Sequence, residues 1–355
     1  MIDSKCFTTE WIAGKSRELK YNDKNIIEKV VRAMSLLDML ARSGCPFYFK
    51  GGTSLMLILG DTAHRLSIDI DIMCPPGTNI EDYLKGYAES GFIEYKLIER
   101  KQAGTDIPKS HSKFFYQVAY KGESSEQSFI LLDVLYEDCH YMQTQRVAVE
   151  SPFVETIGEV AYVTVPSAAD ILGDKLTAFA PETTGIPYYK KDRLATLEIM
   201  KQLYDVGRLF EKVDNLGITK AAFKKIAKVE LGYRGLDSNL EQVYADIRNT
   251  AINISTRGFL DKEKFDLLQK GIASLKSFTY KGAYYIEQAI IDASRAAYLA
   301  TLIENDRDEI EKYSGNPLEV ADMEFSPTLP SKLMKLKKTI PEAYFYWVKV
   351  GEMMV

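Results

Sequence analysis

Apolar and polar positions alternate through Ile68-Asp69-Ile70-Asp71-Ile72, the period of a β-strand with isoleucines on one face and aspartates on the other. Upstream, Ile26, Ile27, Val30, Val31, Met34, Leu37 and Leu40 recur at helical spacing, which predicts an amphipathic helix over 23–43, stopped by Gly44 and Pro46. A short apolar strand over 47–49, a glycine turn and a helix over about 53–60 lead to the alternating strand at about 67–73, which Pro75-Pro76-Gly77 ends. A helix is expected over 80–90, then strands over about 92–99, 113–120, 128–136 and 161–165. From Pro166 onward the period is helical, over 167–180, 192–213, 218–230, 237–254, 261–276, 281–303 and 341–351. The 355 residues suit about two domains. The pattern is that of an α+β chain, with a mixed sheet and helices over 1–165 followed by an all-α domain over 166–355.

Two carboxylates two residues apart on a strand point the same way, about 7 Å apart. Asp69 and Asp71 have little structural reason to be there unless they hold cations. Gly51 and Gly52 lie between an apolar strand and an apolar helix, where bare backbone can approach a phosphate at a helix N-terminus. Thr53 or Ser54 caps that helix or gives a hydroxyl to the phosphate, and the two roles are compatible. Arg65 and Ser67 are further candidates for a triphosphate, although Arg65 reads equally well as a surface arginine near His64. Asp133 interrupts the apolar run Ser128 to Tyr136, where a lone buried carboxylate is costly unless it is paired or holds a metal. If its strand lies beside 67–73, three acids converge on two Mg²⁺ (or Mn²⁺) ions. Asp138, just past that strand, competes for the same role. In the helical half, Lys175 and Asp205 lie among apolar neighbours; for each, burial within the helices and a place in an active site are both open.

Composition narrows the setting. Apolar content of 46% and charged content of 27% are those of an ordinary globular protein. There is no apolar run of roughly 18 residues to span a membrane. Met1 to Cys6 lacks the basic-then-apolar layout of a signal peptide. Cys6, Cys45, Cys74 and Cys139 show no CxxC spacing, so a cytoplasmic protein with reduced thiols is expected. The net charge of −5 is uneven: residues 190–234 carry 11 basic against 6 acidic groups, while 304–324 carry 2 against 8. Lys220, Lys224 and Lys228 share a helical face that would suit RNA, or would simply be a solvated face.

The glycine pair, the Asp-x-Asp strand and the later strand acid resemble the DNA polymerase β-like nucleotidyltransferase superfamily. The fuller set is similar to the AbiEii/AbiGii toxin family, also called MenT-type toxins. It reads Lys50-Gly51-Gly52-Thr53-Ser54-Leu55, Arg65-Leu66-Ser67-Ile68-Asp69-Ile70-Asp71, Asp174-Lys175-Leu176-Thr177-Ala178 and Lys201-Gln202-Leu203-Tyr204-Asp205-Val206. The resemblance covers roughly 25–210. It implies that Asp69 and Asp71 bind metal and that Lys175 and Asp205 complete the active site from the helical domain. In one place the chain departs from the pattern: the fourth motif often begins Arg-Asp, and Lys201-Gln202 stands here instead. Residues 180–189, rich in Pro and Gly, lengthen the gap between Lys175 and Asp205 and read as a lid or substrate loop.

The expectation is an Mg²⁺-dependent enzyme that moves a nucleoside monophosphate from an NTP to an acceptor hydroxyl, with RNA, in particular the tRNA 3′ end, as acceptor. The resemblance further implies the toxin of a type IV toxin–antitoxin or phage-defence system, with a cognate antitoxin encoded nearby. The rivals are transfer to a protein or a small molecule, and a nucleotide-binding module that has lost catalysis.

Overall fold

The computed structural model describes residues 1–98, 109–120, 126–237 and 239–354. They form two compact units, Met1–Pro166 with Ser277–Ala283, and Ser167–Lys276 with Tyr284–Val355.

In the first unit, α1 (Thr9–Glu18) and α2 (Lys24–Arg42) precede β1 (Tyr48–Lys50). Asp23 caps α2 by accepting from the backbone N–H groups of Asn25 and Ile26. Then come α3 (Gly51–Leu59), β2 (Ile70–Cys74), β3 (Glu94–Ile98), β4 (Lys109–Gln117), β5 (Gln127–Tyr136), β6 (Thr144–Ala148) and β7 (Tyr162–Pro166). Among the described residues these seven strands make one mixed sheet in the order β3-β4-β5-β2-β1-β7-β6. Strand β2 runs antiparallel to β1 and parallel to β5. One face is core: Ile70, Ile72, Leu132, Val134, Phe114 and Tyr116 are each no more than 1% exposed. Helix α2 packs against this sheet. The pattern of β5, with Ile130, Leu132 and Val134 buried and Phe129, Leu131 and Asp133 partly open, places Asp133 on the opposite face.

Three departures from the sequence reading have physical causes. The helix expected over 80–90 is only a 3₁₀ turn at Ile80–Tyr83, followed by turns; only Ile80 and Leu84 are buried there, too little apolar surface to hold a helix interrupted by Gly86. Helix α1 and strand β6 were not anticipated. The first is short with few apolar positions, and the second is a polar edge strand with no buried face. The last residue of the strand expected over 92–99 lies outside the described residues, as does residue 238 of the helix expected over 237–254.

The second unit holds α4 (Ala168–Ala178), the short strands β8 (Tyr189–Lys190) and β9 (Arg193–Leu194), α5 (Thr196–Phe210), α6 (Gly217–Tyr233), α7 (Glu241–Ser255), α8 (Lys262–Leu275), α9 (Ile286–Glu304), α10 (Leu336–Thr339) and α11 (Pro341–Met353). Ser167 caps α4, its hydroxyl accepting from the Asp170 N–H at 3.1 Å. The helix expected over 192–213 begins only at Thr196, because Lys191 (φ 56°) turns a hairpin between β8 and β9. Helix α9 is nearly all buried and packs against α5, α7 and α11. Its fully buried Asp292 accepts from Arg208 and Tyr284, both at 3.0 Å, and from Gln288 at 3.3 Å.

The loop over 180–189 is anchored from α7. Asp246 accepts the backbone N–H groups of Glu182 and Thr183, both at 2.9 Å, and the Thr183 hydroxyl at 2.8 Å. Burial nevertheless pushes its carboxyl up to about 6, against the pull of those hydrogen bonds. The folded chain therefore binds this proton more tightly than the unfolded chain. The resulting stability is present below the unfolded value of 3.8 and is lost as pH rises through about 6. Asp246→Asn should remove that dependence. Urea unfolding from pH 4 to pH 7 is expected to show wild-type stability falling relative to the variant by on the order of 3 kcal/mol; a difference independent of pH would contradict the assignment.

Candidate active site

The strand register gathers the charged groups of the first unit into one row. Lys50 on β1 faces Asp71 on β2, Asp71 faces Asp133 on β5, and Asp133 faces His111 on β4. Facing residues project to the same side of a pleated sheet. Asp133 is thus the strand acid beside Asp71, while Asp138 lies past the end of β5. The His111 Nδ1 stands 2.5 Å from an Asp133 carboxylate oxygen. Sequence reading missed His111 because the strand was begun at residue 113; Lys109, His111 and Lys113 alternating on one face was the available signal. Asp69 stands one residue before β2 and is exposed.

Gly51 is where the row meets α3. Its φ of +80° is a left-handed conformation, and a Cβ there would lie 2.8 Å from the Asp71 Cγ. Among the described residues no side chain caps the N-terminus of α3, and a bare helix start of this kind suits an anion. At Gly52 a Cβ would press on the Ser67 Oγ (2.7 Å) and the Arg65 Nη2 (2.9 Å). At both glycines the bare backbone therefore packs directly against the Asp71, Ser67 and Arg65 side chains, where no Cβ fits. Arg65 is 6% exposed and gives one N–H to the Leu66 carbonyl at 3.1 Å. Its segment is pinned from far along the chain: Leu66 N–H donates to the Phe278 carbonyl (2.7 Å), Tyr280 N–H to the His64 carbonyl (3.0 Å), and Arg65 bridges Thr279. That settles the two readings of Arg65 against a surface arginine.

The Thr53 and Ser54 hydroxyls are turned inward. Both side chains are fully buried; Thr53 donates to the Asp69 carbonyl at 2.6 Å and Ser54 to the Gly51 carbonyl at 2.9 Å. They brace the glycine turn.

The three carboxylates expected to converge do so only in part. Among the described residues no three His, Cys, Asp or Glu side chains are gathered closely enough to form a metal cage. Two adjacent carboxylates of hard oxygen donors, beside a bare helix start, are instead the set that suits Mg²⁺ or Mn²⁺. Such an ion keeps several waters and binds through one or two carboxylates plus substrate phosphates. The residues therefore fit the ion expected for this chemistry.

In the second unit Lys175 on α4 and Asp205 on α5 form a buried ion pair, Nζ to Oδ2 3.2 Å, with the two residues 6% and 1% exposed. Gln202, where the motif usually has an acid, accepts from the same Nζ at 3.0 Å. An amide oxygen thus stands where the motif usually has a carboxylate. Several cations of the basic stretch are paired within the unit. Lys220 pairs with Asp306 (3.0 Å) and Asp308 (2.8 Å), Lys224 with Asp306 (3.2 Å), Arg193 with Glu198 (2.6 Å) and Arg208 with Asp292. These pairs raise the Lys220 ammonium and lower the Asp306 carboxyl from their ordinary values. On the face expected to meet RNA, Lys220 and Lys224 therefore pair with Asp306 and Asp308 at the surface, and Lys228 is exposed. Arg295 bonds Glu211 and Glu342 deeper in the same unit.

A bare helix start beside paired carboxylates on a mixed sheet is the arrangement of a nucleotidyltransferase. A family model described as the nucleotidyl transferase AbiEii toxin of a type IV toxin–antitoxin system matches residues 35–303, and the chain belongs to that family. It is a nucleotidyltransferase of the toxin class. No curated protein matches it. Among solved structures, it is similar to JHP933 from Helicobacter pylori (15% identity, TM-score 0.40, covering 79% of this chain and 90% of that one). It is also similar to the nucleotidyltransferase toxin MenT4 from Mycobacterium tuberculosis (13% identity, TM-score 0.43, covering 79% of this chain and 97% of that one).

The close approach of Gly51 to Asp71 predicts a sharp steric effect. Gly51→Ala should place a methyl against the Asp71 carboxylate and add roughly 1–2 kcal/mol of backbone strain. Asp71→Ala should leave stability within about 0.5 kcal/mol, as a partly exposed position does. Both are expected to lose at least about a hundredfold in transfer rate, read as incorporation of labelled nucleotide, because several kcal/mol of charge stabilisation go with the site. Wild-type rates in Asp71→Ala would remove the row from the chemistry.

Proposed function

We propose that this enzyme transfers a nucleoside monophosphate from an NTP to a hydroxyl at the 3′ end of an RNA, with tRNA the leading acceptor, and releases pyrophosphate. The observation that carries the reading is the register pair Asp71–Asp133 set against the bare backbone of Gly51. The start of α3 at Gly51 and Gly52 receives triphosphate oxygens through backbone N–H groups and the positive end of the helix. Arg65, held at the edge of Gly52, supplies a fixed cation, and Ser67 a hydroxyl. Asp71 and Asp133, with Asp69 beside them, would hold Mg²⁺ or Mn²⁺, which when bound polarises the phosphoryl oxygens and offsets the charge of the leaving pyrophosphate. Asp133 also takes the proton of the acceptor hydroxyl as its oxygen bonds to the α-phosphorus and the bond to the bridging oxygen breaks. His111 orients that carboxylate. Lys175, held by Asp205 and Gln202, is the second cation we assign to the triphosphate, a point donor that neutralises its charge.

Family membership supports a toxin role, and from it we infer a cytoplasmic site of action and a cognate antitoxin of a type IV or phage-defence system. No helix among the described residues is long and apolar enough to cross a membrane. Cys6, Cys45, Cys74 and Cys139 are free thiols.

Incubation with each α-labelled NTP, Mg²⁺ and total cellular RNA tests the acceptor. One NTP is expected to label a tRNA-sized band, and Lys175→Ala should reduce that labelling about a hundredfold or more. Label in protein or in small molecules, with RNA unlabelled, would refute the RNA reading.

A further inference from the structure

The carboxylate row shares its sheet face with two further rows. Two residues back along β5 from Asp133, Leu131 faces Lys113, which faces Lys96. Two residues further, Phe129 faces Phe115, which faces Glu94. The reverse face of these strands is core, whereas this one is open: Phe129 is 37% exposed, Lys96 is exposed, and Phe115, Lys113 and Leu131 are half-buried. The Phe115 and Phe129 rings lie 5.8 Å apart, tilted by 56°. Each ring has an ammonium over it, Lys113 Nζ 4.0 Å from the Phe129 centroid and Lys96 Nζ 5.1 Å from that of Phe115. Lys96 also pairs with Glu94 at 3.0 Å. Lysine stems shield exposed rings on many surfaces, but shielding does not explain why two phenyl rings stand at solvent-facing positions of a strand pair.

The chemistry in the adjoining rows does explain it. In-line displacement at phosphorus places the attacking and leaving oxygens on opposite sides. In the reading above the triphosphate sits at the start of α3, on the β1 side of the carboxylates, so the pyrophosphate leaves there. The acceptor must come from the other side, over β5 and β4, which is where the rings and lysines stand. Phe129 is about 13 Å along β5 from Asp133, too far for the reacting nucleotide and suited to a base further up the strand. Rings accept any base by stacking, and adjacent ammonium groups suit a run of phosphates.

We propose that the face formed by Phe115, Phe129, Lys96 and Lys113 is a docking platform for the single-stranded 3′ end of the RNA acceptor. It seats bases behind the terminal nucleotide and presents the terminal hydroxyl to Asp133. The proposal rests on the reading of transfer to RNA given above.

The test is direct binding without NTP. Anisotropy of a 5′-fluorescein single-stranded oligoribonucleotide is measured against protein concentration at several salt concentrations, and NTP binding is followed separately by the rise in Tm. Phe115→Ala with Phe129→Ala should weaken RNA binding roughly tenfold or more per ring. Phe115→Tyr with Phe129→Tyr, which keeps both rings, should restore it, showing that the alanine effect is not misfolding. Lys96→Ala with Lys113→Ala should flatten the salt dependence by a slope of about 1 to 1.5. NTP binding should be unchanged in all three. Failure of the wild type to bind the oligonucleotide, or equal affinity in the alanine variant, overturns the platform. Loss of NTP binding with RNA affinity intact gives the face to the NTP base. Sedimentation showing a wild-type dimer that the alanine variant cannot form, with RNA affinity intact, gives it to a second copy of the chain; both results overturn the proposal. Ring-dependent RNA binding without any transfer to RNA would leave the platform standing and refute the function, and transfer to RNA with ring-independent binding would do the reverse.

Discussion

The site depends on one close approach, that of Gly51 to Asp71. Strand β1 ends at Lys50 beside Asp71, and the chain must turn at once into α3. Only a residue without a Cβ can turn there, because the left-handed φ and the Asp71 carboxylate leave no room for one. The helix start is thereby held against the carboxylate row. A wider turn would separate the positive end of the helix from the acids, and the triphosphate and its cations need both within one nucleotide's reach. The buried Thr53 and Ser54 hydroxyls, bonded to the Asp69 and Gly51 carbonyls, fix this junction from below.

A sheet with one buried face imposes the rest. Ile70 and Ile72 on β2, with Leu132 and Val134 on β5, must face α2, and a slip of one residue would bury Asp71 and Asp133. The same burial that stabilises the sheet therefore aligns the carboxylates. It also carries Phe115 and Phe129 to the open side. In the helical unit the buried Lys175–Asp205 pair works differently. Removing one member of such a pair leaves an uncompensated charge and typically costs about 3–5 kcal/mol. Gln202 satisfies the lysine without adding a second charge.

What was legible in the sequence was what local period and residue type encode. The alternation around Asp69 and Asp71 and the helical spacing of Ile26 to Leu40 both correspond to elements of the fold, and the interruption of an apolar strand by Asp133 pointed to the neighbour of Asp71. What was not legible depends on contacts distant in sequence. The clasp of Phe278, Thr279 and Tyr280 on the Arg65 segment joins residues more than two hundred positions apart. The pairing of Lys220 with Asp306 and Asp308 sets exposed acids from a distant segment beside the face expected to meet RNA. His111 lay in a polar stretch whose strand character comes from pairing with β5 rather than from its own residues.

The most direct test of the site is a count of bound cations. Electron paramagnetic resonance of Mn²⁺ with a non-hydrolysable NTP analogue measures occupancy in the wild type, Asp71→Asn and Asp133→Asn. The expected result is Mn²⁺ binding that requires the analogue in the wild type and is largely lost in each variant, with the fold intact. Mn²⁺ bound equally by all three proteins would contradict a site built on the Asp71–Asp133 row.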